Sequence, residues 1–138
     1  MIQIQREGIK ARAIAIKTQS SEDLENRCWS GTNAPYFSLD AIEWITANFS
    51  HLLCDLPSVD REDDGGHLSV HRIFFGLPKE KDPPSDLIRA TVRSHSTITE
   101  LCCFPDSLQE GLYGLSLQIS PLDLDAAPSR PVFFVLRP

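Results

Sequence analysis

The chain has 138 residues, 41% of them hydrophobic and 23% charged, enough to bury one core and too few for two of comfortable size. A formal net charge of -6, with Lys and Arg scattered along the sequence, argues against a sequence-independent grip on nucleic acid, which needs clustered cations. No apolar run approaches the ~20 residues of a membrane span, and Met-Ile-Gln-Ile-Gln-Arg-Glu-Gly at the start lacks the apolar core of a signal peptide. The expectation is therefore a single cytoplasmic α/β domain without a membrane partner. Its four cysteines, Cys28, Cys54, Cys102 and Cys103, should be reduced thiols, Cys54 and one of the adjacent pair serving as core filler.

From Ala11 to Lys17, Ile14 and Ile16 share one face and Ala13 and Ala15 the other, which predicts a buried strand. Ser20 to Pro35 reads as a long polar loop. Ser38 is a good N-cap, and Ala41, Ile42, Ile45 and Phe49 recur at helical spacing, so a helix is predicted over 38–49, with Ile42, Trp44 and Ile45 in the core. His51 to Cys54 follows as a second strand. Strand, helix and strand at this spacing predict a βαβ crossover and a parallel pair.

The second strand stops at Asp55 and opens into an acidic loop, Asp60-Arg-Glu-Asp-Asp-Gly-Gly, which leads to His67 and His71. Ligands in α/β sheets sit outside the carboxyl ends of strands, so this stretch is the natural place for a site. A helix-loop-helix calcium site is not expected, because the twelfth position counted from Asp60 is His71 rather than Glu. His67 and His71 are spaced as zinc ligands on one helical face, but Gly65 and Gly66 make a helix starting before Leu68 doubtful. Residues 77–86, rich in Pro and charge, read as an exposed loop. Thr97 to Phe104 reads as a strand that places Glu100 beside Ile98 and Cys102. Leu112 to Ile119 and Val132 to Leu136 read as further strands, giving about five strands and two or three helices. No Gly-x-Ser-x-Gly elbow and no phosphate-cradling Gly-rich loop is present.

Taken together, Asn33-Ala-Pro-Tyr-Phe-Ser, Asp55-Leu-Pro-Ser-Val-Asp-Arg-Glu-Asp-Asp-Gly-Gly, Val70-His-Arg, Thr97-Ile-Thr-Glu-Leu and Asp125-Ala-Ala-Pro-Ser-Arg-Pro-Val resemble, in order, the cyclase family of metal-dependent hydrolases. Kynurenine formamidase, an arylformamidase of tryptophan catabolism, is its best-known member. The resemblance runs from about residue 11 to the end. It implies the C-terminal part of a swivelling β/β/α domain with a mostly parallel core sheet, and a divalent metal, zinc or manganese, that activates water against a small amide or lactone. Position by position, His71 and Glu100 match metal ligands of the family, while Asp55, Ser58 and Asp60 match a segment expected to shape and orient the site. Pro128 lies in a segment that resembles the family's closing turn. The family's His-x-Gly-Thr-His-x-Asp-x-x-x-His signature has no counterpart here: Gly31-Thr32 is not followed by His, and no His precedes His51. No catalytic residue is therefore assigned. The expectation is a chain inactive as a hydrolase unless a partner chain supplies the remaining ligands. The alternative is a non-catalytic module that binds or forms homo-oligomers through an unpaired sheet edge.

Overall fold

A computed structural model describes residues 10–78 and 92–136. The described residues divide into two units, one within residues 12–105 and a second made of residues 10–11 with 106–136.

In the first unit the two apolar runs form parallel strands, β1 (Ala13–Ile16) and β2 (His51–Cys54), with Ile14 beside Leu52 and Ile16 beside Cys54. A third parallel strand, β3 (Thr97–Thr99), lies on the other side of β2, giving the order β1-β2-β3. The crossover between β1 and β2 carries two helices, α1 (Ser21–Glu25) and α2 (Leu39–Asn48). A third helix, α3 (Ser69–Phe75), lies between β2 and β3. The core gathers Ile42 and Ile45 of α2, Leu52 and Cys54 of β2, Leu56 and Val59 beyond it, and Val70 and Phe74 of α3. Leu53 points to the opposite face of β2 and is also fully buried, as a central parallel strand requires.

Arg93 ties this core together from below the sheet. Its guanidinium donates to the carbonyls of Phe49 (2.7 Å) and Phe74 (2.6 Å), at the C-terminal ends of α2 and α3, where backbone dipoles favour a cation. It also lies 4.9 Å from the centre of the Phe74 ring.

The second unit holds an antiparallel pair, β4 (Tyr113–Ile119) and β5 (Ser129–Val135). Tyr113, Leu115, Leu117 and Ile119 share a face with Pro131, Phe133 and Val135, and none of these seven side chains is buried. Among the described residues the sheet content is thus three parallel strands and an antiparallel pair, within a mixed helix and strand architecture.

Several expectations change. The stretch from Ser20 to Pro35 is not all loop, because Ser20 caps α1: its hydroxyl accepts the Asp23 amide proton (3.1 Å) and donates to the Asp23 carboxylate (2.6 Å). Ser20-x-x-Asp23 is a capping pattern that the sequence displays. Trp44 is not core. It is 52% exposed and packs edge-on against Phe49, since it lies a third of a turn away from the line through Ile42, Ile45 and Phe49. The strand expected over 97–104 ends at Thr99, and Glu100 lies just beyond it. β5 begins at Ser129, three residues earlier than the apolar run suggested. The loop expected over 77–86 lies, from residue 79 on, outside the described residues. No helix among the described residues is long and apolar enough to cross a membrane.

The cysteines divide as their positions suggest, with Cys54 and Cys102 buried and Cys28 and Cys103 exposed. Burial, reinforced by nearby carboxylates, pushes the Cys54 thiol up to about 12, and burial pushes Cys102 up to about 11. At neutral pH a thiol-specific reagent should therefore titrate two thiols quickly, and the other two only once the protein unfolds. Rapid reaction of all four, counted by absorbance or mass, would contradict this packing.

Candidate functional site

The carboxyl ends of β2 and β3 organise the site. Asp55 follows β2 directly and is 1% exposed. Its Oδ2 accepts the backbone protons of Thr18 (2.7 Å) and Gln19 (3.0 Å), and its Oδ1 accepts the Thr18 hydroxyl (2.9 Å). Thr18 and Gln19 come just after β1, so Asp55 pins the exit of one strand to the exit of the next. The chain then turns through Pro57 and Ser58, where the Ser58 hydroxyl accepts the Asp60 amide proton at 3.1 Å. Opposite, the Val59 carbonyl accepts the Phe37 amide proton at 3.0 Å, fixing this loop against the segment that leads into α2.

Asp60, 5% exposed, connects the loop to α3. One carboxylate oxygen accepts the Val70 amide proton at 2.7 Å, and the other accepts that of His71 at 3.2 Å. The same second oxygen lies 2.6 Å from Nδ1 of the His71 ring. Leu68, at the N-cap position of α3, is left-handed (φ 49°) and offers no side-chain cap. Asp60 therefore caps the helix from upstream in the chain. Asp64 stabilises the approach by accepting the amide protons of Gly66 (2.8 Å) and Leu68 (2.5 Å). His71 stacks on Phe75 one turn later, with ring centres 6.3 Å apart.

Glu100 arrives from the end of β3. The next residue, Leu101, is left-handed (φ 53°), and it and Cys102 donate backbone protons to the carbonyls of Leu56 and Cys54, both at 2.9 Å. This reversal turns the Glu100 carboxylate toward the β2 loop, where Oε1 accepts the Val59 amide proton at 2.7 Å. It also brings Oε1 to 3.7 Å from Nε2 of His71. Two of the three positive-φ residues other than glycine among the described residues, Leu68 and Leu101, thus lie close in sequence to the two site residues. Such backbone strain collects where a side chain must be aimed.

The sequence-derived residues are accordingly brought together by local structure. His71 and Glu100 face one another, Asp60 backs His71, Ser58 holds the Asp60 backbone, and Asp55 secures the strand ends beneath. His67 lies outside α3 and on an exposed turn, so the helical His pair does not form. Thr18 and Gln19 were not singled out by the sequence, because their tie to Asp55 spans 36 residues or more and follows no local pattern.

His71 and Glu100 are each 28% exposed at the side chain, so the gap between them is reachable from solvent. At 3.7 Å, Nε2 and Oε1 are too far apart for a good hydrogen bond. Two ligands of one tetrahedral zinc, each at about 2.0–2.2 Å, stand about 3.3–3.6 Å apart, so the observed gap nearly matches a shared ion. Imidazole and carboxylate together suit zinc or manganese. Among the described residues no group of three or more His, Cys, Asp or Glu is arranged to hold a metal ion. The buried thiols Cys54 and Cys102 are kept protonated by their burial and offer no thiolate.

No family model matches the chain, and comparison with curated proteins and with solved structures returns no match.

Proposed function

We propose that the chain carries part of a divalent-metal site of a hydrolase acting on small amides or lactones, similar to that of the cyclase family, with His71 and Glu100 as metal ligands. The observation that supports this reading is the convergence of His71 and Glu100, from a helix and a strand end 29 residues apart, to 3.7 Å with the histidine backed by a buried carboxylate. A metal-bound histidine commonly donates its other ring proton to such a carboxylate. The parallel sheet with its crossover helices is compatible with the C-terminal part of a swivelling β/β/α domain.

A divalent ion held there would supply Lewis acidity to a carbonyl and lower the pKa of water. In this reading Nε2 and the Glu100 carboxylate bind, Asp60 and Ser58 orient, and Asp55 keeps the strand exits in register. A catalytic zinc site takes three protein ligands and an open position. The third donor then comes from outside the described residues, from another segment or a partner chain. The test is hydrolysis of an aryl formamide with zinc or manganese, by the chain alone and together with a polypeptide carrying a His-x-Gly-Thr-His segment. Metal-dependent turnover in the complemented sample that disappears on chelation is expected. Absence of both ion binding and turnover in either sample would refute the proposal.

The apolar face of β4 and β5 favours a second reading, a non-catalytic module that associates with copies of itself or with another protein. An isolated two-stranded sheet is marginal in water, and this one leaves Ile119 54% and Val135 78% exposed. Size-exclusion chromatography with light scattering checks it: a concentration-independent monomer would remove this reading.

A further inference from the structure

We propose that Asp60 is a positioning residue that fixes the His71 ring in its Nδ1–H tautomer and so directs the bare Nε2 at Glu100. Three donors surround the Asp60 carboxylate. Val70 and His71 present backbone N–H groups, which can only donate, at 2.7 and 3.2 Å. An ionised carboxylate can only accept. The 2.6 Å contact between Oδ2 and Nδ1 must then contain the ring's own proton, on nitrogen. A neutral ring with its proton on Nδ1 carries a lone pair on Nε2. On that side Oε1 of Glu100 accepts the Val59 amide at 2.7 Å and stands 3.7 Å from Nε2, beyond hydrogen-bonding distance, whereas the Asp60 contact is 2.6 Å.

The same carboxylate also sets the backbone from which the ring projects. Its two amide contacts cap the first turn of α3, whose own N-cap residue Leu68 provides no cap. Ring orientation and helix start therefore depend on the side chain of one buried residue, whose backbone amide donates to the Ser58 hydroxyl. An asparagine there would act differently. With its single oxygen on the Val70 amide, the shorter of the two backbone contacts, its NH₂ group takes the place of Oδ2 and faces Nδ1. That donor would force the ring proton onto Nε2, where it points at Glu100 and closes the ring nitrogen to any ligand.

The consequence for metal binding rests on the function proposed above, whereas the tautomer does not, and one experiment separates them. Long-range ¹H–¹⁵N correlation of the metal-free, uniformly labelled protein distinguishes the two neutral tautomers, and both from the doubly protonated ring, by the shifts of the ring nitrogens. Wild type should show Nδ1–H at His71, Asp60→Asn should show Nε2–H, and Glu100→Gln should keep Nδ1–H. Nε2–H in wild type, Nδ1–H in Asp60→Asn, or a flip in Glu100→Gln would each overturn the inference. Should Asp60→Asn fail to fold, the wild-type and Glu100→Gln spectra still decide. Zinc titration of the same samples should show affinity falling about 10- to 100-fold in Asp60→Asn. Wild type with the stated tautomer and no zinc binding would support the inference while refuting the metal reading.

Discussion

Replacing Asp55 with alanine is expected to cost about 3–5 kcal/mol of stability, on the order of two hydrogen bonds to a charged group. The side chain is 1% exposed and receives three hydrogen bonds, from the Thr18 and Gln19 amides and the Thr18 hydroxyl. Hydrogen bonds to a charged group are each worth about 1.5–3 kcal/mol, and removing the acceptor strands its donors in a desolvated setting. Alanine also leaves a space at the end of β2 that solvent does not readily fill. Small domains have only about 5–15 kcal/mol in total, so this one change removes a large fraction of it. Asp55→Asn should cost less, because its oxygen can keep one backbone donor. Denaturant unfolding followed by far-UV circular dichroism gives the size of the effect. Hydrogen exchange locates it: the Thr18 and Gln19 amides should lose protection before those of Leu52 and Leu53. A midpoint for Asp55→Ala within about 0.5 kcal/mol of wild type, the usual range for surface changes, would contradict the pinning role.

The second large effect concerns binding rather than folding. His71→Ala should reduce zinc or manganese affinity by more than about 100-fold, beyond the 10- to 100-fold cost of losing an outer partner of a ligand. Glu100→Gln should also weaken binding, because the amide can still accept the Val59 proton while the negative charge that attracts the ion is gone. Stability should follow only in part, because Asp60 keeps the Val70 and His71 amides when the ring is removed. Both side chains are 28% exposed, and neither contributes to the cluster built on Ile42, Leu52, Val59 and Phe74. His71→Ala should therefore cost far less than Asp55→Ala, and this contrast separates a ligand from a structural anchor. Competition against a chromophoric chelator reads the affinity, and unfolding in chelator reads the stability. Equal affinities for wild type and both variants would place the ion elsewhere.

The fold and the candidate site differ in how far they can be read from the sequence. Ser38, Ile42 and Ile45 announce their helix through capping and periodicity, which are local. The parallel pairing of β1 with β2 follows from their apolar character and the helical crossover between them. His71 and Glu100 stand out only when their flanking segments are compared with a known pattern, since nothing local in Val70-His-Arg or Thr-Glu-Leu demands a ligand. Trp44 misled because its size suggests burial, whereas burial on a helix is set by angle. Glu100 was expected within a strand, where its side chain would alternate with those of its neighbours. The left-handed Leu101 ends that alternation and redirects the carboxylate, a backbone event with no glycine to signal it. The partnership of Asp55 with Thr18, and the capping of α3 by Asp60, depend on tertiary closure. A sequence displays the acceptor in such pairs but not the donor it will meet.

The most direct test of the central claim is anomalous diffraction at the zinc edge from crystals of the protein grown or soaked with zinc. One peak between Nε2 of His71 and the Glu100 carboxylate, about 2.0–2.2 Å from a donor atom of each, is the predicted result. A well-ordered map with no peak at that position, or with zinc bound only at sites that exclude both residues, would contradict it.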